Sequence, residues 1–465
     1  MDKTFLKVTY LSIFLSTFFY LIYLTIEGSL SDIVYDIYSK PLYAYSILLF
    51  ILSSIFLYII VCKNKTYTPS IILYLSFLAV PLFGSIGHRI HVDLFGYSFY
   101  GVISFEFPVF VWSVGTTALF AGILFSQLFT RLPKRNLTHL WDFKRTSFLL
   151  WLFLFVSLTC TVIALFRIGY IPVLHSGIDA VRINYPDVAG RYPYKFSRLF
   201  IITSLLSMVL FFLNNHNKLF LYVFLLSLFG LSIYGQRMMV FLPIFSFLLI
   251  YVKFHKPNIV RFIIMGFFFC CLVIIFLIAQ EYRGGHLHNG VKVRENILLP
   301  LFAEWSSYSH VTNEIRRGEH YLKEDIFLGP LTMIFPRQIW ALFGIDKDSV
   351  IKEHSALYYY GEQFDDELGI RITPIGEAYA SYGIFYGVCL QMFIFGVIFG
   401  VLEKMYLNLN KLDSRLCILC FLISLFMFLP ISTLKIYLDR GVYFGSILLL
   451  CMLVGTNRCF SRTPE

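Results

Sequence analysis

Charge is scarce in this chain. Only 14% of its 465 residues are Asp, Glu, Lys or Arg, against about 25% in a soluble globular domain. Other signals are missing too. No basic run or basic domain accompanies the net charge of +10, so nucleic acid is not an expected partner. No phosphate-cradling glycine loop and no zinc-ligand spacing is present, so neither a cofactor nor a metal is expected. The nine cysteines avoid every segment expected outside a membrane. Cys417 and Cys420 read as two small apolar residues on one buried helix face, and no disulfide framework is expected. No small-residue cleavage site follows the apolar run after Lys3 and Lys7, which predicts an uncleaved first helix. Internal repeats and low-complexity tracts are absent.

What fills the chain instead is apolar: 58% of residues are hydrophobic, in long continuous stretches such as Tyr43 to Val61 and Phe262 to Ala279. Lipid cannot satisfy open backbone groups, so a spanning segment is a helix or part of a closed barrel. A barrel would show segments of about 10 residues with strict alternation. These stretches are twice that length and do not alternate, so the fold class is all-α. A helix crosses a bilayer in about 20 apolar residues. Twelve spans are expected, near 5–26, 42–62, 70–86, 100–127, 146–166, 198–213, 218–234, 238–253, 260–280, 372–402, 415–434 and 441–456. This divides the chain into 1–280 with nine helices, a loop at 281–371, and 372–465 with three helices and a tail.

Orientation follows from the positive-inside bias. With a cytoplasmic N-terminus, the inside segments and span edges hold 18 Lys or Arg against 5 Asp or Glu. They include Lys63, Lys65, the run from Arg131 to Arg145, Lys253 to Arg261, Arg458 and Arg462. Both termini are then cytoplasmic, and no cytoplasmic segment is long enough for a nucleotide-binding domain. Two external segments stand out. Arg167 to Lys195 carries Arg182 and Arg191. Glu281 to Ile370 is long and partly helical: Pro300 to Arg317 reads as an amphipathic helix stopped by Gly318, and Pro330 to Phe343 suits a helix lying in the interface.

Sorted by depth, the ionisable residues gather at the outer boundary. Glu106 lies in the fourth span, Arg167 ends the fifth, and Arg237 sits in the turn after the seventh. Glu281 and Arg283 follow the ninth, and Arg371 and Glu377 open the tenth. Lys435, Asp439 and Arg440 fall between the last two spans. A charge at mid-bilayer costs about 2.5–3.5 kcal/mol on insertion scales, so each residue needs a reason. Snorkelling or a structural ion pair is one reason, and it suits Arg167, Lys435 and Arg440. The collective pattern predicts an arginine-lined cavity open to the outer side and capped by the long loop. Arginine's planar fork suits phosphate, and a lipid-linked diphosphate would meet it while its tail stayed in the bilayer.

Three segments carry a family resemblance: Tyr234-Gly235-Gln236-Arg237 in a tight external turn, Glu281-Tyr282-Arg283-Gly284-Gly285 where a span leaves for the long loop, and Arg371-Ile372-Thr373-Pro374-Ile375-Gly376-Glu377-Ala378-Tyr379 continuing to Gly383 and Gly387. With the layout of about twelve spans and one long late loop, they make the chain resemble the O-antigen polymerase (Wzy) family of oligosaccharide repeat-unit polymerases. An Arg-x10-Gly pattern of some members is not met: Arg167 and Gly177 are one residue too close, Arg371 and Gly383 one too far.

The resemblance implies a GT-C-like membrane enzyme of the bacterial inner membrane with a periplasmic active site. It would join undecaprenyl-pyrophosphate-linked oligosaccharides, the growing glycan passing to a new repeat unit. Chain-length control would call for a partner protein. Such a transfer needs a base, cationic groups for the leaving diphosphate, and a groove aligning two substrates. The base is assigned to Glu377 ahead of Glu281, and the diphosphate to Arg371, Arg283 and Arg237. Arg182, Arg191 and Glu106 would bind the second substrate. His354 and His310 are weaker candidates, since a lone His more often sits at a surface or in packing. Asp365-Asp366-Glu367 reads as a solvated loop. An O-antigen ligase-like transferase and a lipid-linked oligosaccharide flippase are the alternatives. Carriers place charge near the midplane and show repeated halves, and this chain shows neither.

Overall fold

The computed structural model describes residues 40–64, 69–95, 105–130, 137–172, 188–214, 216–234, 237–255, 299–316, 373–409, 413–431 and 434–460. The expected first and ninth spans, and the helix expected from Pro330 to Phe343, lie outside these residues.

The described elements are α1 (Lys40–Asn64), α2 (Pro69–Phe95), α3 (Glu106–Phe129), β1 (Leu137–Trp141), α4 (Phe143–Ile168), α5 (Arg191–Ser197), α6 (Phe200–Leu213), α7 (Lys218–Ser232), α8 (Arg237–His255), α9 (Leu299–Arg316), α10 (Pro374–Tyr382), a π-helical segment (Gly383–Cys389), α11 (Leu390–Asn408), α12 (Arg415–Phe426), a 3-10 turn (Leu429–Ile431), α13 (Leu434–Gly455) and β2 (Thr456–Phe460). Among the described residues, five stretches are long and apolar enough to cross a membrane: Ala44–Asn64, Glu106–Phe129, Phe143–Ile168, Tyr192–Leu213 and Gly383–Asn408.

Two compact units form, each from separated stretches. The first comprises Met1–Arg131, Leu298–Lys404 and Phe426–Asp439; the second comprises Leu132–Ile297, Met405–Leu425 and Arg440–Glu465.

In the first unit α3 packs against α1 and, through small residues, against α11. A Cβ on Gly122 would stand 2.1 Å from the Phe393 carbonyl oxygen, and one on Gly396 would stand 2.0 Å from that of Leu119. Gly400 meets the Ser126 hydroxyl in the same way, at 1.9 Å. The two backbones therefore touch along about two turns, running parallel. Between membrane helices hydrophobicity supplies no net drive, and such close packing is what holds them. At the far end Glu403, fully buried, accepts from Ser70 N and Oγ at 2.7 and 2.6 Å and from Gln127 Nε2 at 3.1 Å. It thereby caps the start of α2.

The second unit shows the reversal expected of a membrane helix. On α4 the apolar Phe148, Phe155, Val162 and Phe166 are exposed, while Thr146, Ser157 and Thr161 are buried. Ser157 donates back to the Phe153 carbonyl at 2.7 Å, so its hydroxyl is satisfied without water. β1 and β2 pair antiparallel from Leu137↔Phe460 to Trp141↔Thr456. The pair ties the start of α4 to the end of α13, where Asp142 N donates to the Gly455 carbonyl at 2.8 Å. Asp142 also caps α4 by accepting from Arg145 N at 3.0 Å.

Several expectations are corrected. The continuous span at 372–402 is broken, since α10 ends at Gly383 (φ +71°) and a π-helical segment precedes α11. α2 runs nine residues past the expected end at 86. Lys435, Asp439 and Arg440 lie within α13 rather than between two helices. Cys417 and Cys420, by contrast, are both buried on α12, in agreement with the sequence reading.

Because the α3–α11 crossing has no room for a side chain, Gly396→Val should lower stability by about 1–3 kcal/mol, the range for overpacking a filled site. Gly445→Ala should leave it nearly unchanged, as nothing lies within 4 Å of a Cβ there. Melting of the detergent-solubilised protein checks both.

Candidate active site

Three elements of the first unit converge around the start of α3. The chain enters α3 at Phe105, and Glu106 occupies its first turn at 2% exposure. A carboxylate complements the positive end of the helix dipole there.

α10 begins with Thr373, whose hydroxyl accepts from Gly376 N at 3.3 Å, and Pro374 occupies the first turn, where a missing N–H costs nothing. Glu377 follows, half-buried, its N–H donating to the Thr373 carbonyl at 2.9 Å. The chain then turns sharply. Gly383 takes a left-handed φ that disfavours any side chain. A Cβ on Gly387 would stand 1.9 Å from the Ala378 carbonyl oxygen, so the π-helical segment lies directly against α10. The Ile375 side chain packs on Gly115 of α3, and Tyr379 meets Phe107 edge-on at 5.6 Å. These two contacts seat the Glu377 turn beside the start of α3.

α9 is the third element. The sequence predicts an amphipathic helix of the loop. Instead the helix is packed into the unit, with Trp305, Tyr308, Ser306, Ser309 and Thr312 all fully buried. Trp305 fills a notch at Gly84 of α2, where a Cβ would be only 2.3 Å from its own. Trp112 of α3 meets Trp305 and Tyr308 nearly perpendicularly, at 5.6 and 5.3 Å. The Tyr308 hydroxyl donates to the Pro108 carbonyl at 3.0 Å, and burial pushes this phenol well above its ordinary value. His88 Nδ1 and Ser306 Oγ lie 3.0 Å apart. At the last turn the Arg316 guanidinium lies over the Phe107 ring, 4.7 Å from its centre, a favourable cation–π geometry. Phe107 thus joins α3, α9 and α10. Spacing of aromatic and hydroxyl residues at Trp305, Tyr308 and Thr312 was the available signal, but small polar residues disguised it as a solvated face.

Of the expected site residues, the structure brings Glu106 and Glu377 to one end of the first unit, with His310 half-buried on α9. Arg371, Arg283, Glu281, Arg182 and His354 lie outside the described residues. In the second unit Arg191 opens α5 and Arg237 opens α8. There Arg167, in the last turn of α4, donates to the Ala189 carbonyl at 3.3 Å. Arg198, unremarked in the sequence, donates to the Tyr194 hydroxyl at 2.6 Å and lies 4.3 Å above its ring.

A helical multi-pass membrane protein with two carboxylates gathered at one end of its helices is the class these features define. The O-antigen polysaccharide polymerase Wzy family model matches residues 7–463, and the chain belongs to that family. No curated protein and no solved structure matches it. Members of this family act in O-antigen polymerisation, which makes the chain a polymerase of glycosyltransferase type working on lipid-linked repeat units.

Trp305→Ala should destabilise the protein by about 3–5 kcal/mol, the cost of emptying a buried aromatic site. Trp305→Phe should be far milder, because the indole Nε1 is buried without a hydrogen-bond partner. Thermal melts of the two variants separate packing from hydrogen bonding.

Proposed function

We propose that this chain extends a surface polysaccharide, O-antigen or capsule, by joining undecaprenyl-pyrophosphate-linked repeat units on the periplasmic face of the bacterial inner membrane. The full-length family match carries this reading. The proposed plan has twelve spans in a GT-C-like arrangement with both termini cytoplasmic and residues 281–371 forming the periplasmic loop.

The chemistry is a displacement at the anomeric carbon of the growing chain. Glu377, with Glu281 as the alternative, takes the proton from an acceptor hydroxyl of the new unit. That oxygen forms the new glycosidic bond as the bond between the anomeric carbon and the diphosphate oxygen breaks. Undecaprenyl pyrophosphate leaves with the electron pair, and Arg371, Arg283 and Arg237 stabilise the charge that develops on it. Arg182, Arg191 and Glu106, with His354 in a lesser role, bind the second lipid-linked substrate. Support for Glu377 comes from its setting: a capped helix start, held by packing against α3, positions a carboxylate more firmly than a loop does. Chain length would be set by a separate partner protein.

Deleting the protein from its host should leave single repeat units on the final acceptor, seen on a glycan gel. Long polymer stranded on the lipid carrier would indicate a ligase instead. Arg371→Ala and Glu377→Gln should each abolish chain extension while membrane insertion stays normal. Normal ladders from both variants would remove the catalytic assignment.

A further inference from the structure

At the opposite end of the first unit from Glu106, two lysines converge on one backbone oxygen. Lys63 Nζ, at the end of α1, donates to the Gln127 carbonyl. Lys404 Nζ, on α11, donates to the same oxygen at 3.1 Å and to the Thr130 carbonyl at 2.5 Å. Two donors on one acceptor stand no more than about 6 Å apart. The carbonyls belong to the C-terminal end of α3, whose partial negative charge draws cations. That partial charge does not balance two ammonium groups.

The neighbouring carboxylate does not balance them either. Glu403 is fully buried and turned to Ser70 and to the Gln127 side chain. Among the described residues the one close ion pair is Arg415 with Asp413, in the second unit. Three bonds occupy three of the six ammonium N–H donors, and three remain. Lys63 is exposed. Beyond the helix ends the sequence adds Lys65 and Arg131 and no acidic residue before Asp142 on that side of α3.

Depth identifies the ligand. Lys63, Gln127 and Lys404 all lie within the last five residues of stretches apolar and long enough to cross a bilayer, Ala44–Asn64, Glu106–Phe129 and Gly383–Asn408. Three spans ending together place the lysine pair at headgroup level. The sidedness of the membrane does not enter.

We propose that Lys63 and Lys404 form a binding site for the phosphate of an anionic phospholipid headgroup. Its oxygens take the free N–H donors, and its acyl chains lie along the apolar faces of α1 and α11. The chemistry shared with free phosphate is a tetrahedral oxyanion held by two ammonium groups. The lipid source follows from the depth.

The test reconstitutes the full chain in nanodiscs of phosphatidylcholine alone or with phosphatidylglycerol, and reads the melting temperature in each. The parent should melt about 2–4 °C higher with phosphatidylglycerol. Lys63→Gln and Lys404→Gln should each shrink that difference, and the double variant should lose it, whatever its own baseline. Lys63→Arg should restore it, and Lys218→Gln, on an exposed lysine of the second unit, should keep it. Native mass spectrometry should show fewer retained phosphatidylglycerol molecules on the double variant. An undiminished lipid difference in the double variant would overturn the site. An equal rise from inorganic phosphate in phosphatidylcholine discs would assign it to free phosphate and overturn the lipid.

Discussion

Everything in the first unit hangs on a backbone-to-backbone contact between two parallel helices. Gly122, Gly396 and Gly400 let α3 and α11 approach until carbonyl oxygens of one lie where side chains of the other would be. In water such a contact would add little to apolar burial. In lipid, where tails are as apolar as leucine, close van der Waals packing is the main attraction left. The contact also transmits position. α11 continues directly from the π-helical segment, and that segment lies on α10 through Gly387. Fixing α11 on α3 therefore fixes where the Glu377 turn sits.

The two ends of this helix pair use charge in complementary ways. Glu403 and Lys404 are adjacent in sequence yet serve opposite dipoles. The carboxylate caps the N–H groups at the start of α2, and the ammonium caps the carbonyls at the end of α3. Breaking either leaves backbone groups without partners where water is scarce, a larger penalty than the bond itself is worth. At the other end α9 supplies aromatic weight, with Trp305 and Tyr308 closing on Trp112. One end is clamped by hydrogen bonds and the other by rings.

Much of this was legible in sequence because continuous apolar runs allow only helices in lipid. The apolar runs behind α1, α3, α4 and α8 announce themselves, and Thr373-Pro374 followed by Glu377 is a helix start by capping chemistry alone. The break at Gly383 was hidden. A glycine amid Ile384, Phe385 and Val388 reads as an ordinary membrane-helix residue, and only the approach of Gly387 to Ala378 shows why the chain turns. The bounds of α9 are legible nearly to the residue, but the burial of its polar face is not. Its Ser and Thr residues look solvated, whereas in a membrane protein hydroxyls that bond the preceding turn, as Thr312 does to Tyr308 at 2.6 Å, bury readily. The strand pair was illegible, since five-residue strands 315 residues apart in the chain leave no local period. Arg198 and Arg316 are not legible, because a lone arginine on a helix carries no pattern, and each gains meaning only from the ring beneath it.

The start of α3 and the start of α10 come together through Phe107 and Tyr379. Each start is a partial positive charge, and each holds a glutamate in its first turn. Left bare, two positive helix ends would repel one another at low dielectric. Glu106 and Glu377 offset that repulsion, so the carboxylates belong to the architecture as well as to the proposed chemistry. Under that proposal the dual duty has a consequence for the reaction. A carboxylate that accepts a proton weakens its hold on its own helix start. The base therefore has a structural reason to give the proton up once the diphosphate has gone, which is what a polymerase must do before each new unit. Arg316 on Phe107 adds a fixed cation at the same seam.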